Sequence, residues 1–157
     1  LDGLLPALQK GQHAAAVVVS SVASAQLGWA HNPLAAALQA GDEAQAGQIV
    51  DGAGDKGGQL AYAGSKNAVT VAVRQRATTW GQAGIRLNTV APGAIATDFS
   101  GGMVRDNPAV NKYVSEATAL GRVGEPDDIG PMVASLLGED NRWVNAQRIE
   151  VSGGQGI

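Results

Sequence analysis

The chain has 157 residues, of which 45% are apolar and 4% aromatic, and its formal net charge is −3. This length suits one domain with a buried core, and the mildly acidic charge excludes a basic surface for nucleic acid or an anionic membrane. Cysteine is absent and the two histidines, His13 and His31, lack the close spacing of a metal motif, so we expect no disulfide and no metal site.

Targeting patterns are also missing. The sequence contains no run of about 18 apolar residues, which a membrane-spanning helix requires. It has no basic segment followed by an apolar run near Leu1, as a secretory signal peptide would have. We therefore predict a cytoplasmic protein whose partners include neither membranes nor nucleic acid.

The first half of the chain predicts one helix, one strand and a second helical region. Four leucines share a stripe over residues 1–10, so the chain opens inside an amphipathic helix, as a fragment of a longer protein would. Residues 14–20 are apolar and β-branched without alternation, which predicts a parallel strand buried on both faces. Residues 34–50 are Ala-rich and helical, and the glycines between 52 and 58 predict a loosely structured loop.

The second half predicts two strands and two long helices. A helix from Ala61 to about residue 81 carries an apolar stripe. Residues 85–91 form a strand that Pro92-Gly93 stops. Residues 126–137 form a helix opened by a proline and two acids, and residues 147–151 form the last strand. This alternating order predicts an α/β fold with a doubly wound parallel sheet.

The chemistry is expected at the carboxyl ends of the strands, where open parallel sheets bind ligands. Tyr62 and Lys66 are four residues apart, so they are neighbours on one helical face near this edge. Tyrosine ionises at about pH 10 in water, and a nearby ammonium favours the phenolate, which can exchange a proton with an alcohol or carbonyl oxygen. A core aromatic beside a snorkelling lysine explains the same spacing, so the pair alone leaves both interpretations open.

Five segments in order resemble motifs of the short-chain dehydrogenase/reductase family, and the resemblance covers essentially the whole chain. Residues 17–24 (VVVSSVAS) resemble the catalytic-serine strand, residues 62–66 (YAGSK) the Tyr-x-x-x-Lys helix, and residues 86–97 (RLNTVAPGAIAT) the Pro-Gly segment that ends in threonine. Residues 121–129 (GRVGEPDDI) and 151–154 (VSGG) resemble the later helix and the last strand.

The resemblance implies a nicotinamide-dependent oxidoreductase that interconverts a secondary alcohol and a carbonyl. It assigns Tyr62 as general acid/base, Ser21 to the substrate oxygen, and Lys66 to the tyrosine and the nicotinamide ribose. Ser20 is the rival to Ser21. The implied cofactor-binding residues are Tyr62, Lys66, Pro92, Gly93, Ile95 and Thr97, with the Ile95 backbone and Thr97 at the carboxamide. NAD(H) is the first candidate cofactor and NADP(H) the alternative.

The spacing of the motifs indicates which subgroup of the family the chain resembles. Ser21 lies 41 residues before Tyr62, farther than in a typical member of the family, which implies a helical insertion at about residues 27–58. A long Ala-rich insert here is similar to that of the bacterial 3α-hydroxysteroid dehydrogenase/carbonyl reductase subgroup. There the insert contributes to the subunit interface, which implies a homo-oligomer, a dimer or a tetramer. The alternative is a surface excursion without a partner.

One part of the family pattern is missing. A complete member begins with a strand and a Gly-rich turn that receives the pyrophosphate at a helix N-terminus, and the 157 residues contain no such segment. We therefore predict a single partial catalytic domain over residues 1–157, the C-terminal portion of a doubly wound Rossmann fold. We expect this chain alone to bind dinucleotide poorly, to turn over little and to associate through its open sheet edge.

Three functions compete at this point. The first is an oxidoreductase for a small apolar carbonyl or alcohol such as a hydroxysteroid, with residues 98–120 covering the substrate. The second is a truncated non-catalytic binding or scaffold protein that keeps the fold; the missing segment favours it, and the intact Ser21, Tyr62 and Lys66 oppose it. The third is an epimerase or dehydratase of the wider superfamily, but these carry a larger C-terminal domain, and only 60 residues follow Thr97.

Overall fold

A computed structural model describes residues 1–25 and 28–155, and its sheet has three parallel strands. In spatial order they are β1 (Ala15–Val19), β2 (Arg86–Pro92) and β3 (Arg148–Val151). Val19 pairs with Val90, and Pro92 pairs with Val151. The three carboxyl ends therefore meet at one edge, and the predicted parallel α/β sheet is confirmed.

The helices connect and cover these strands. They are α1 (Leu5–Leu8), α2 (Pro33–Ala40), α3 (Glu43–Gly52), α4 (Gly57–Gln82), α5 (Met103–Asp106), α6 (Pro108–Glu116) and α7 (Pro126–Leu137). The helix predicted over residues 1–10 is reduced to a 3₁₀ turn and α1, since Leu5 and Leu8 pack on the core while Leu1 and Leu4 stay exposed. No helix in the described part of the chain combines the length and apolarity that a membrane crossing needs.

The helices α4 and α7 cover opposite faces of the sheet. Leu87 on β2 shares a buried cluster with Trp80 of α4. The neighbouring Arg86 instead donates to the backbone carbonyls of Leu136 and Gly138 at the end of α7, at 2.7 and 3.0 Å. Consecutive residues of a strand point to opposite faces, so the sheet lies between two helical layers, as in a doubly wound fold.

The burial of β1 differs from the prediction. Its apolar sequence predicted burial on both faces, but its residues are partly exposed and Val19 is 51% exposed. Burial of a strand depends on its neighbours: among the described residues β2 lies between two strands, whereas β1 has a neighbouring strand on one side only. Backbone groups along such an edge are open to pairing with another strand.

Residues 33–52 form a helical hairpin, α2 and α3, in place of one Ala-rich helix. Gly41 adopts a left-handed conformation (φ 72°) between the helices, and the side chains of Asn32 and Asp42 cap their N-termini at 2.9 Å. Leu34, Ala37 and Ala46 form a buried apolar cluster between these two helices. The interpretation of about residues 27–58 as an insertion stays a prediction, and Leu27 at its start lies outside the described residues.

The glycine-rich segment between α3 and α4 is not the loose loop that was predicted. Gly52 ends α3, a 3₁₀ turn follows, and α4 begins at Gly57, ahead of the predicted start at Ala61. A Cβ on Gly57 would lie 2.5 Å from the backbone oxygen of Val50. Glycine is therefore needed at this position for the close approach of the two helices.

We expect Gly57→Ala to lower the free energy of unfolding by about 1–3 kcal/mol, because an added Cβ without room forces the backbone to shift. Gly58→Ala is the matched control, since nothing lies within 4 Å of a Cβ there; it should stabilise the chain by about 0.4–1 kcal/mol through unfolded-state entropy. Urea unfolding followed by far-UV circular dichroism measures both. Equal stability of the two variants would contradict the close packing at Gly57.

Candidate active site

Ser20 and Ser21 follow β1 directly and have different surroundings. The hydroxyl of Ser20 is buried, donates to the backbone carbonyl of Lys66 at 2.9 Å and lies 3.0 Å from the Thr70 hydroxyl. Ser21 Oγ instead accepts from the backbone N–H of Ala23 at 3.2 Å, and its own proton has no acceptor among the described residues. Ser20 thus fastens the strand to α4, whereas Ser21 retains a hydroxyl proton that it can donate.

Tyr62 and Lys66 lie near the beginning of α4, within reach of the end of β1. Lys66 Nζ is 5.9 Å from the centroid of the Tyr62 ring. The same ammonium donates to the backbone carbonyl of Val19, the last residue of β1, at 3.1 Å. The structure therefore brings the ammonium to both the phenol ring and the strand end that Ser21 follows.

Phe99 lies beside Tyr62. The two ring centroids are 5.8 Å apart and the rings are tilted by 44°. The apolar side chains predicted to cover a substrate fall into two groups: Val114 is buried in the protein, whereas Phe99 and Met103 are 66% and 51% exposed. Phe99 thus adds an exposed apolar wall next to the phenol.

The segment after β2 is held between two other parts of the chain. The backbone N–H of Ala94 donates to Gln155 Oε1 at 2.7 Å, and that of Ala96 donates to the Gly124 carbonyl at 2.8 Å. Between them, the N–H of Ile95 has no acceptor among the described residues. One backbone donor in this segment is therefore left for a ligand.

Pro92, Gly93 and Thr97 occupy the two ends of this segment. Pro92 is the last residue of β2, and a Cβ on Gly93 would lie 3.0 Å from the Cα of Ser152. Glycine at 93 therefore lets the segment pass close to the end of β3. Thr97 Oγ1 accepts from the backbone N–H of Phe99 at 3.3 Å, so its own proton is available for a further bond.

An ion pair fixes the loop that supports this segment. Arg122 donates to both carboxylate oxygens of Asp128 at 2.6 and 2.7 Å, and Asp128 also accepts from the backbone N–H of Glu125 at 2.7 Å. These donors hold the pKa of the Asp128 carboxyl well below its ordinary value. Gly124, which pairs with Ile95, lies between the two partners of the ion pair in sequence.

The available donors fit the nicotinamide end of a dinucleotide. A carboxamide oxygen needs N–H or O–H donors, which the Ile95 backbone and the Thr97 hydroxyl can supply. Lys66 uses one of its three ammonium protons on Val19, which leaves two for ribose hydroxyls. The chemistry of this donor set therefore suits a nicotinamide and its ribose.

Two polar residues around the site were not predicted from the sequence. Gln155 holds Ala94 as described, and Arg148 on β3 donates to the hydroxyl of Ser24 and the carbonyl of Ser21 at 2.9 and 3.3 Å. Each carries a signal in the sequence: Gln155 directly follows the Gly-Gly turn after a strand, and Arg148 begins a strand in which charged and apolar residues alternate.

Comparison with known proteins identifies the family. A family model described as enoyl-(acyl carrier protein) reductase matches residues 49–155, which include Tyr62, Lys66 and the segment after β2. The chain belongs to the short-chain dehydrogenase/reductase family. The resemblance inferred from the sequence motifs is thereby confirmed.

Two relatives of this short-chain dehydrogenase/reductase are hydroxysteroid dehydrogenases. The 3-alpha-hydroxysteroid dehydrogenase/carbonyl reductase of Comamonas testosteroni is 49% identical over 154 residues, which cover 98% of this chain and 60% of that protein. The crystal structure of the 3-alpha-hydroxysteroid dehydrogenase from Pseudomonas sp. B-0831 complexed with NADH superposes with a TM-score of 0.84 at 40% identity, covering 98% of this chain and 60% of that chain. The chain therefore spans about 60% of the length of both relatives.

A more distant short-chain dehydrogenase/reductase neighbour binds the other nicotinamide dinucleotide. The blue fluorescent protein from a metagenomic library in complex with NADPH has a TM-score of 0.66 and 26% identity, covering 92% of this chain and 46% of that chain. Structures similar to this chain therefore include both an NADH and an NADPH complex.

Proposed function

We propose that this short-chain dehydrogenase/reductase interconverts a secondary alcohol and a carbonyl on a small apolar substrate, such as a hydroxysteroid. The observation that carries the proposal is the position of Lys66 Nζ, 5.9 Å from the Tyr62 ring centroid and 3.1 Å from the carbonyl that ends β1. The Comamonas and Pseudomonas relatives support the substrate class. NAD(H) is the first candidate cofactor because the Pseudomonas structure contains NADH, and NADP(H) is the alternative.

Each residue of the candidate site has a distinct role in the proposed reaction. When bound, the nicotinamide ring supplies or accepts the hydride. The Tyr62 hydroxyl gives a proton to the carbonyl oxygen during reduction and takes it back during oxidation, while the Ser21 hydroxyl donates a hydrogen bond to that oxygen. The Lys66 ammonium lies beside the Tyr62 ring and would donate to the ribose hydroxyls. Ile95 N–H and the Thr97 hydroxyl hold the carboxamide.

We further propose that the protein works in the cytoplasm as a homo-oligomer, a dimer or a tetramer. Trp143 is 97% exposed, and association would remove this apolar side chain from water.

The two serines give the sharpest test of this function. We expect Ser21→Ala to lower kcat by about 100- to 1000-fold, because it removes a donor to the reacting oxygen. Ser20→Ala is the matched control: it should lower the free energy of unfolding by about 1 kcal/mol through lost buried hydrogen bonds and leave kcat nearly unchanged. Turnover of a ketosteroid is followed by nicotinamide absorbance in the polypeptide that is active, whether the 157-residue chain or a longer one containing it.

The outcomes separate the competing functions. Unchanged kcat in Ser21→Ala together with a large loss in Ser20→Ala would reassign the substrate contact to Ser20. Turnover that neither substitution affects would contradict the role proposed for the end of β1. A protein with no turnover on any alcohol or ketone offered would favour the non-catalytic binding protein.

A further inference from the structure

Arg148 lies on β3, yet its side chain reaches past β2 to the turn that follows β1. Its Nε donates to Ser24 Oγ at 2.9 Å, and its Nη2 donates to the Ser21 carbonyl at 3.3 Å. These contacts join residues 124 and 127 positions apart in the sequence. The side chain is only 13% exposed, so water competes weakly for its donors.

The carbonyl of Ser21 accepts from three donors among the described residues. Besides Arg148, the hydroxyl of Ser24 donates to it at 2.7 Å and the backbone N–H of Ser24 at 3.1 Å. The carbonyl of Ser24 in turn accepts from the side-chain amide of Asn67 on α4 at 3.1 Å and from Trp29 Nε1 at 2.8 Å. The turn after Ser21 is therefore fastened to β3 on one side and to α4 on the other.

The guanidinium is oriented for this contact by its own strand. Glu150, two residues along β3, accepts from Arg148 Nη1 at 2.5 Å, which leaves Nε and Nη2 for the turn. Hydrogen bonds from a charged donor are stronger than neutral ones, and a planar fork restricts the position of both acceptors. Arg148 thus limits the rotation of the peptide group that follows Ser21, and with it the direction of the Ser21 side chain.

We propose that Arg148 is a positioning residue for the reaction: it orients the Ser21 hydroxyl through the Ser21 carbonyl and the Ser24 hydroxyl, without touching the substrate. The inference rests on the function proposed above, in which Ser21 bonds the substrate oxygen. The proposal means that a residue of β3, which is separated from β1 by β2, affects kcat.

The first test distinguishes a positioning role of Arg148 in the reaction from a purely structural role. We expect Arg148→Gln to lower kcat by about 10- to 100-fold, the usual cost of removing a residue that orients a reacting group, with the KM for NADH or NADPH unchanged. A purely structural role would lower stability and leave the kcat of the folded protein unchanged. Arg148→Lys should recover part of the loss, since an ammonium keeps a charged donor but not the fork. Arg142→Gln, an exposed arginine, is the control and should match the wild type.

The second test is a double-mutant cycle with Ser21→Ala. If Arg148 acts through Ser21, Arg148→Gln should change kcat by less than about twofold when Ser21 is already alanine, because coupled residues are not additive. A full 10- to 100-fold loss in that background would overturn the positioning role. Should Arg148→Gln fail to fold, Arg148→Lys carries the same cycle.

The cycle also distinguishes the two proposals. Normal kcat in Ser21→Ala alone means that the proposed role of Ser21 is wrong, and the positioning role falls with it. A large loss in Ser21→Ala with normal kcat in Arg148→Gln leaves the proposed function standing and refutes only the role of Arg148.

Discussion

Tyr62→Phe is expected to lower kcat by about 100- to 10,000-fold, the range that a general acid/base contributes, while the Kd for NADH changes little. The substitution removes only the hydroxyl. The ring that lies 5.8 Å from Phe99 and 5.9 Å from Lys66 Nζ remains, so the surrounding packing is preserved. Steady-state turnover and a fluorescence titration with NADH measure the two effects separately on the active polypeptide.

Tyr113→Phe is the control for this experiment. Tyr113 is the other of the two tyrosines in the chain, lies on α6 and is 72% exposed, so its loss should leave kcat unchanged. A Tyr62→Phe variant that keeps kcat within tenfold would refute the assigned proton transfer. A variant that loses NADH affinity to the same extent as kcat would assign Tyr62 to cofactor binding instead.

Trp80→Ala is expected to lower the free energy of unfolding by about 3–5 kcal/mol, the cost of emptying a large core site. Trp80 is 0% exposed and packs with Val73, Ile85 and Leu87 between α4 and the sheet. A loss of this size is a large part of the total stability of a typical domain. Urea unfolding monitored by circular dichroism gives the value, and Trp143→Ala, at a side chain 97% exposed, should change it by less than about 0.5 kcal/mol.

Trp80→Phe refines the same prediction. The indole Nε1 of Trp80 is buried without a hydrogen-bond partner among the described residues. Phenylalanine therefore loses packing volume but no hydrogen bond, and we expect a cost below about 1.5 kcal/mol. Equal losses in the phenylalanine and alanine variants would show that the cluster does not depend on ring packing.

The strands and the long helix could be predicted because their signals are local. A continuous apolar run predicted the first strand, the other two strands were also predicted in nearly the observed positions, and an apolar stripe predicted α4. The edge position of β1 could not be predicted in this way, since the exposure of Val19 depends on which strands lie beside it. The start of α4 was missed because Gly57 is required by contact with Val50, a residue of the preceding helix, and its composition alone resembles a loop.

In the candidate site, too, features set by local sequence could be predicted, whereas contacts between distant residues could not. Tyr62 and Lys66 were expected to be neighbours from helical spacing alone, and the structure places them so. The sequence favoured Ser21 over its rival Ser20, but the hydrogen bonds that distinguish the two hydroxyls are visible only in the structure. Arg148 was missed because its contact with Ser24 spans three strands of the sheet, and no local pattern encodes such a contact.

The double attachment of Lys66 to the first strand has a consequence for how specificity can change. Its backbone carbonyl accepts from Ser20, and its ammonium donates to Val19, so helix and strand end are joined as one rigid unit. Met103, which is 51% exposed, belongs to α5 and not to this unit. Under the proposed function, we therefore expect substitutions at exposed positions such as Met103 to alter substrate preference while Tyr62 and Lys66 keep their positions.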